Sequence, residues 1–318
     1  MSRSGGAEPK NRPRIGLALG GGVARGWAHI GVLHALGRAG IRPDIVCGTS
    51  IGALVGGVHL AGKLDVLERW ARSLSKLKIV TYLDFRVAGG GMIGGNRLMA
   101  AMRQQMGDIS IEDLPVPYTC VATDLVTGHE VWLSRGNLVD ALRASISLPG
   151  IFSPSELDGR WLIDGALVNP LPVSVCRAMG AEVVIAVNLN ADLLGRTRAP
   201  GQRIPRAAGF DLLNELPMAG QQAPNRLSGW LKSIFGREHD APSLFGVMVQ
   251  SLNIMQDRIT RSRLAGEPPD VSITPKLGHI GLLEFHRAEE VIAEGAAAAE
   301  RAQGELVEAI AVFESTPG

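Results

Sequence analysis

A serine held between glycines is the first residue in this chain with the makings of a nucleophile. Gly48-Thr49-Ser50-Ile51-Gly52 has the form GxSxG. It joins an apolar run at 44–48 (DIVCG), which reads as a buried strand, to a Gly- and Ala-rich helix that closes near Gly62. On such a strand-to-helix turn the serine takes backbone angles that lift its hydroxyl clear of the sheet, and the glycines remove side chains that would clash. The helix that begins there points its positive end at negative charge developing on a substrate. Attack on an acyl carbonyl needs this arrangement. A serine hydroxyl is a weak nucleophile unaided, so the chain must also supply a base.

Seven histidines are available: His29, His34, His59, His129, His239, His279 and His286. The first three fall on helices and read as solvated or packed. His129 opens a strand, and His279 alone sits in a loop with glycine on both sides. A carboxylate is the better candidate. Asp164 ends the apolar run Trp161-Leu162-Ile163 and precedes Gly165-Ala166. In a parallel α/β sheet Ser50 and Asp164 would both stand at C-terminal strand ends, the rim where such folds place their chemistry. Asp followed by Gly is equally an ordinary turn, and only convergence with Ser50 separates the two readings.

A second glycine cluster, Gly20-Gly21-Gly22-Val23-Ala24-Arg25-Gly26, follows the strand expected at 14–19 (RIGLAL) and opens a helix. Successive glycines let backbone amides approach an oxyanion or phosphate closely. A dinucleotide fingerprint fails here, because Arg25 stands at the place of its last glycine and Asp44 precedes the second strand where it should end it. The P-loop spacing at 57–63 (GVHLAGK) lies inside a helix, with Leu64 at the place of the Mg²⁺-binding hydroxyl. No HExxH, EF-hand loop or paired Cys/His spacing suggests a metal, and no cofactor is expected.

Strands at 118–123, 130–133, 161–163, 182–188 and 271–274 must position these residues. Helices are expected at 26–39, 64–77, 96–106, 138–146, from Pro170, at 243–264 and at 287–313. Apolar strands alternating with helices indicate a three-layer α/β/α unit around a mostly parallel sheet. One domain spans 14–318 behind a flexible tail at 1–13, with a mobile glycine loop at 88–95. A basic insertion or lid at about 195–242 carries a stretch at 225–237 where Leu227, Trp230, Leu231, Ile234 and Phe235 share a helical stripe. That stripe suits either peripheral membrane contact or packing as a lid or dimer face. A net charge of +1 across 318 residues excludes a global nucleic-acid footprint. Cys47, Cys120 and Cys176 read as core thiols, and with no signal-like or membrane-spanning run the expected location is cytoplasmic, with peripheral membrane contact as an option.

Three blocks, GGGVARG from Gly20, GTSIG from Gly48 and DGA from Asp164, resemble in order and spacing the patatin-like phospholipase family. The likeness is greatest to bacterial members similar to the neuropathy target esterase catalytic domain. Shorter agreements are Thr123-Asp124-Leu125 with Thr127-Gly128, and Ala144-Ser145 with Pro149, Phe152 and Pro154. The match is close over about 14–190 and loose beyond. It implies a serine hydrolase acting on phospholipid, lysophospholipid or other acyl esters through an acyl-serine intermediate, without a catalytic histidine. Carried over by position, Ser50 is the nucleophile, Asp164 its base, and the Gly20, Gly21 and Gly22 amides the oxyanion hole. Arg25 looks like the family's basic residue in the cradle, supporting the loop or favouring an anionic head group. Gly26, Gly48, Thr49, Ile51, Gly52, Gly165 and Ala166 belong to the motifs around these residues. The alternatives are a non-catalytic domain holding an acyl or phosphate ligand, and an acyltransferase.

Overall fold

The structure is a computed structural model that describes residues 12–82, 95–192 and 244–315. The expected loop at 88–95, all but Gly95, and the insertion with its stretch at 225–237 lie outside these residues. Eight strands form one sheet: β1 (Ile15–Leu19), β2 (Ile45–Thr49), β3 (Tyr118–Asp124), β4 (Glu130–Leu133), β5 (Ser155–Leu157), β6 (Arg160–Asp164), β7 (Val183–Val187) and β8 (Val271–Ile273). Their order is β5-β6-β3-β2-β1-β7-β8, with β4 also paired to β3. From β3 to β8 every pairing is parallel, whereas β4 and β6 run antiparallel to β3, and β5 to β6.

The parallel strands are apolar on both faces because helices cover both. Leu17 and Leu19 of β1 pack into one cluster with α1 (Ala28–Arg38), α2 (Ile51–Leu60) and α9 (Ala288–Arg301). Ala18 and Cys47 face the other way, onto Val175 and Cys176 of α7 (Val173–Ala178). The three cysteines are buried and free, as expected of core thiols. The chain runs from β1 to β2 and β3 on one side and returns to β7 and β8 on the other. The end of β1, where the glycine cradle begins, is therefore the switch point at which open α/β sheets leave a crevice.

Several elements differ from expectation. The helix at 64–77 is two, α3 (Leu64–Arg72) and α4 (Lys76–Tyr82). Ser73 breaks it by turning its hydroxyl onto the Trp70 carbonyl at 2.8 Å, the local competition that serine offers a helix. The helix at 287–313 divides at Ala302 into α9 and α10 (Gln303–Ser315). Pro170 starts no helix. It leads through a bend to Pro172, which precedes α7, and its carbonyl receives the Gly21 N–H at 2.9 Å. Strand β5 was not expected; it forms a hairpin with β6 through Asp158 and Gly159, both at positive φ. The remaining helices, α5 (Asn96–Met106), α6 (Leu138–Ser145) and α8 (Leu244–Gly266), fall within two residues of their expected ends.

Helices α1 and α9 meet at backbone distance. A Cβ on Gly31 would fall 1.9 Å from the Ile292 oxygen, and one on Gly295 would fall 2.0 Å from the Ala28 oxygen. Gly37, at the exposed end of α1, faces open space. Gly31→Ala is therefore expected to destabilise the protein by about 1–3 kcal/mol through overpacking. Gly37→Ala should instead gain about 1 kcal/mol or less from helix propensity. Urea unfolding of the two variants measures both signs, and equal midpoints would refute the close crossing.

Candidate active site

Ser50 follows β2 directly and caps α2 with φ 56° and ψ −125°. For a residue with a side chain this conformation costs on the order of 1–3 kcal/mol and persists only where its surroundings impose it. The surroundings here are specific. Ser50 N–H donates to Ser145 Oγ at 3.0 Å, and that hydroxyl donates to the Val121 carbonyl at 2.6 Å. Thr49 Oγ1 donates to the Asn169 carbonyl at 2.8 Å. The motif glycines are required by contact. A Cβ on Gly52 would lie 2.2 Å from the Leu19 oxygen, one on Gly48 2.4 Å from Ala53 Cα, and one on Gly26 2.1 Å from Ile51.

Asp164 reaches the same place from an unexpected direction. Its strand runs against β3, pairing Asp164 with Ala122, so it does not end a parallel strand beside β2. The Ser50 hydroxyl nevertheless donates to Asp164 Oδ2 at 2.6 Å. Oδ1 accepts the Ala166 N–H at 2.8 Å, and Thr123 Oγ1 donates to the Asp164 carbonyl at 2.9 Å. Gly165 is pressed against Val121, where a Cβ would stand 2.2 Å from the carbonyl oxygen. Complete burial pushes the Asp164 carboxyl up to about 7, against the pull of the Ser50 and Ala166 hydrogen bonds. A carboxyl titrating near neutrality can both take and return a proton.

The cradle is more selective than its glycines suggest. Gly20 N–H donates to the Val187 carbonyl at 3.2 Å and Gly21 N–H to that of Pro170 at 2.9 Å, so both are occupied within the fold. The N–H groups of Gly22 and Val23 have no acceptor among the described residues. Gly21 has another reason to be glycine: a Cβ there would sit 3.5 Å from Ser50 Cβ and 3.4 Å from Ala166 Cβ. Val23, at φ 52°, is the second side-chain-bearing residue of the site held in a left-handed conformation.

Arg25 supports this loop from within the core. Its Nη1 donates to Asn190 Oδ1 at 2.9 Å and its Nε to the Ile280 carbonyl at 3.2 Å, while Asn190 Nδ2 donates to the Gly21 carbonyl at 3.3 Å. Burial lowers the guanidinium to about 10, which leaves it charged at neutral pH. His29 braces the other end, with Nε2 2.8 Å from the Gly20 carbonyl. A carbonyl only accepts, so Nε2 carries the proton, and burial holds the ring near 4 and neutral.

An apolar cavity opens beside Ser50, which among the described residues is its one polar lining residue, with Trp27, Leu54, Trp70, Ile151 and Phe285 around it. His279 is elsewhere: its Nε2 pairs with Glu290 at 2.7 Å on an exposed surface. His34, Asp65 and Glu68 place ligand atoms within 4.8 Å of one another, away from this cavity, and His34 and Glu68 already pair at 2.7 Å. Asn190 and His29 shape the site without any mark in the sequence, whereas Val23 falls within the first glycine block and Ser145 and Thr123 in the shorter ones.

The burial of Asp164 has a stability signature. Its folded value lies above the unfolded 3.8, so the folded chain retains a proton that the unfolded chain releases. That contribution is fully present below about pH 4 and is lost as pH rises through about 7. Asp164→Asn should therefore be more stable than the wild type by a few kcal/mol at pH 8, with the gap closing towards pH 4. Urea midpoints across this range measure it, and a wild type at least as stable as the variant at pH 8 would contradict the buried charge.

Residues 17–177, which hold Ser50, Asp164 and the glycine cradle, match the patatin-like phospholipases. An NTE family protein of Mycobacterium tuberculosis is 38% identical over 328 aligned positions, covering 91% of each chain. The neuropathy target esterase of Drosophila melanogaster is 36% identical over 184 positions, 56% of this chain and 13% of that protein. Human GIVD cytosolic phospholipase A2 aligns with a TM-score of 0.42 at 13% identity, over 95% of this chain and 60% of that one. Among the described residues no helix is long and apolar enough to cross a membrane. With half its length matched by the family and a relative aligned over 91% of it, this chain belongs to the patatin-like phospholipase family, a membership that supports a lipid-hydrolase function.

Proposed function

We propose that the protein is a serine acyl hydrolase that cleaves phospholipid, lysophospholipid or related carboxylic esters with a Ser50–Asp164 dyad. The observation that carries this reading is the 2.6 Å hydrogen bond from Ser50 Oγ to the buried Asp164 carboxylate. In the first half of the reaction Ser50 Oγ attacks the ester carbonyl while Asp164 takes its proton. The oxyanion is received by the Gly22 and Val23 N–H groups, with the N-terminus of α2 adding its positive potential. The ester C–O bond then breaks, and Asp164 returns the proton to the departing alcohol. Water repeats the sequence against the acyl-serine: Asp164 accepts a proton from it, the fatty acid leaves, and Ser50 is reprotonated. A base near 7 serves both directions at neutral pH.

The apolar cavity supplies the preference for acyl substrates. It starts at Ser50, and beyond that mouth its walls among the described residues are almost wholly apolar, so the part of the substrate that enters it is hydrocarbon. Its free volume of about 110 Å³ accepts the first carbons of a chain, and longer chains displace lining side chains. Arg25, held by Asn190 and Ile280, takes no part in head-group binding.

Ser50→Ala and Asp164→Asn should each lower kcat on p-nitrophenyl esters by about 10³-fold or more, as loss of a nucleophile or its base does in serine hydrolases. His279→Ala should stay within about twofold of the wild type, since its side chain is engaged on the surface. A fluorophosphonate should label Ser50 in the folded protein. Labelling of another serine with Ser50 intact would remove the nucleophile assignment. Loss of turnover in His279→Ala would replace the dyad by a triad.

A further inference from the structure

A second cavity lies behind the wall of the first. It is a groove bounded by α2, α3 and α5, and Leu54, Trp70 and Leu98 line both spaces. The two are thus separated by a single layer of side chains. The groove encloses about 540 Å³, within the roughly 300–1,000 Å³ of small-molecule sites. Its inner surface is hydrocarbon and thioether, from Val58, Leu67, Met102 and Met106 among others. Methionine and leucine on facing helices form an adaptable apolar lining.

The rim has a definite charge. Lys63 and Arg69 stand on it with Gln104 and Gln105, and among the described residues no aspartate or glutamate lines the groove. Among the described residues neither cation is paired with a carboxylate. Elsewhere on these helices the cations do find partners: Arg72, one turn along α3 from Arg69, pairs with Glu68 at 2.9 Å, and Arg103 of α5 pairs with Asp140. An apolar groove whose rim cations have no carboxylate partner among the described residues is complementary to a hydrocarbon chain ending in an anion.

We propose that this groove is a binding site for a free fatty acid, separate from the cavity at Ser50, with the chain along Leu67, Met102 and Met106 and the carboxylate at Lys63 and Arg69. The choice of a fatty acid rests on the acyl-hydrolase reading, which makes it the released product. The groove and its charge do not depend on that reading. Leu54, Trp70 and Leu98 contact both spaces, so chain in the groove presses on the wall of the substrate cavity, and product acts on turnover without occupying the nucleophile.

The test is titration of the full chain with myristate below its micelle concentration, by calorimetry and by Trp70 fluorescence. It is run on the wild type, on Lys63→Glu with Arg69→Glu, and on Met102→Trp, which fills the groove from within. Hydrolysis of a short p-nitrophenyl ester is followed in each. The expected result is a myristate site that survives fluorophosphonate labelling of Ser50. Charge reversal should weaken it by about tenfold or more and leave short-ester turnover without added fatty acid unchanged, and Met102→Trp should abolish it. Lysophosphatidylcholine, which has a chain but no net charge, should compete poorly.

Three results overturn the proposal. One is myristate binding that disappears when Ser50 is labelled. Another is binding indifferent to both sets of substitutions. The third is a loss of turnover confined to long-chain esters in Met102→Trp, with charge reversal silent, which makes the groove a continuation of the acyl cavity. A protein without esterase activity that still binds myristate through Lys63 and Arg69 would fail the hydrolase reading and leave the site standing.

Discussion

Everything in this site depends on three stretches of backbone being brought closer together than side chains allow. The loop after β1, the elbow after β2 and the end of β6 converge on Ser50, and at each approach a glycine stands where a Cβ would lie 2.1–2.4 Å from the opposing chain. Gly52 lies against Leu19, Gly26 against Ile51, and Gly165 against Val121. Close packing of this kind has no soft direction, since interiors are as dense as organic crystals. Once the parallel strands are in register, the Ser50 backbone has nowhere else to go. Its positive φ is imposed by the sheet and fixed by Ser145, whose hydroxyl ties the Ser50 amide to the Val121 carbonyl.

Within that frame three ionisable groups are buried, each handled by different chemistry. Asp164 is left with a hydroxyl and an amide as its side-chain partners, too few to hold a carboxylate at its ordinary value, and it titrates near 7. Arg25 keeps its charge by spreading it over the neutral oxygens of Asn190 and Ile280. His29 gives up charge altogether and becomes a fixed donor to Gly20. The cation and the neutral ring both serve the cradle. The carboxyl alone is left where a small change in surroundings, such as entry of a substrate, alters its protonation.

The parallel half of the sheet was legible because its strands are apolar throughout and bounded by glycine, a pattern that only two-sided burial explains. The β5–β6 hairpin was not foreseen, although Asp158-Gly159 is a strong turn signal; Glu156 and Arg160 on either side obscure the alternation that would have marked the strands. The breaks at Ser73 and Ala302 leave the helical stripe intact and so cannot be read from periodicity. Within the site, the nucleophile, the carboxylate and the glycine clusters stood out because their types are unusual in their places. Which cradle amides are free did not, because that is settled by Val187 and Pro170, more than a hundred residues away. The sequence points to Asp164 for an incomplete reason. A parallel strand end was expected to bring it to Ser50, whereas the antiparallel β6 delivers it from the opposite direction.

On the dyad proposed above, that reversal accounts for an aspartate as base where other serine hydrolases on open sheets use a histidine. A base carried at a parallel strand end stands on the rim beside the nucleophile and must be reached through a long, orientable side chain. Strand β6 instead runs down towards the elbow and stops level with Ala122, which brings the short Asp164 side chain to 2.6 Å from Ser50 Oγ. Aspartate fits that distance, and the depth that makes it fit also removes its water and raises its affinity for the proton. Reach and basicity therefore come from one topological fact, an antiparallel strand added to the edge of a parallel sheet.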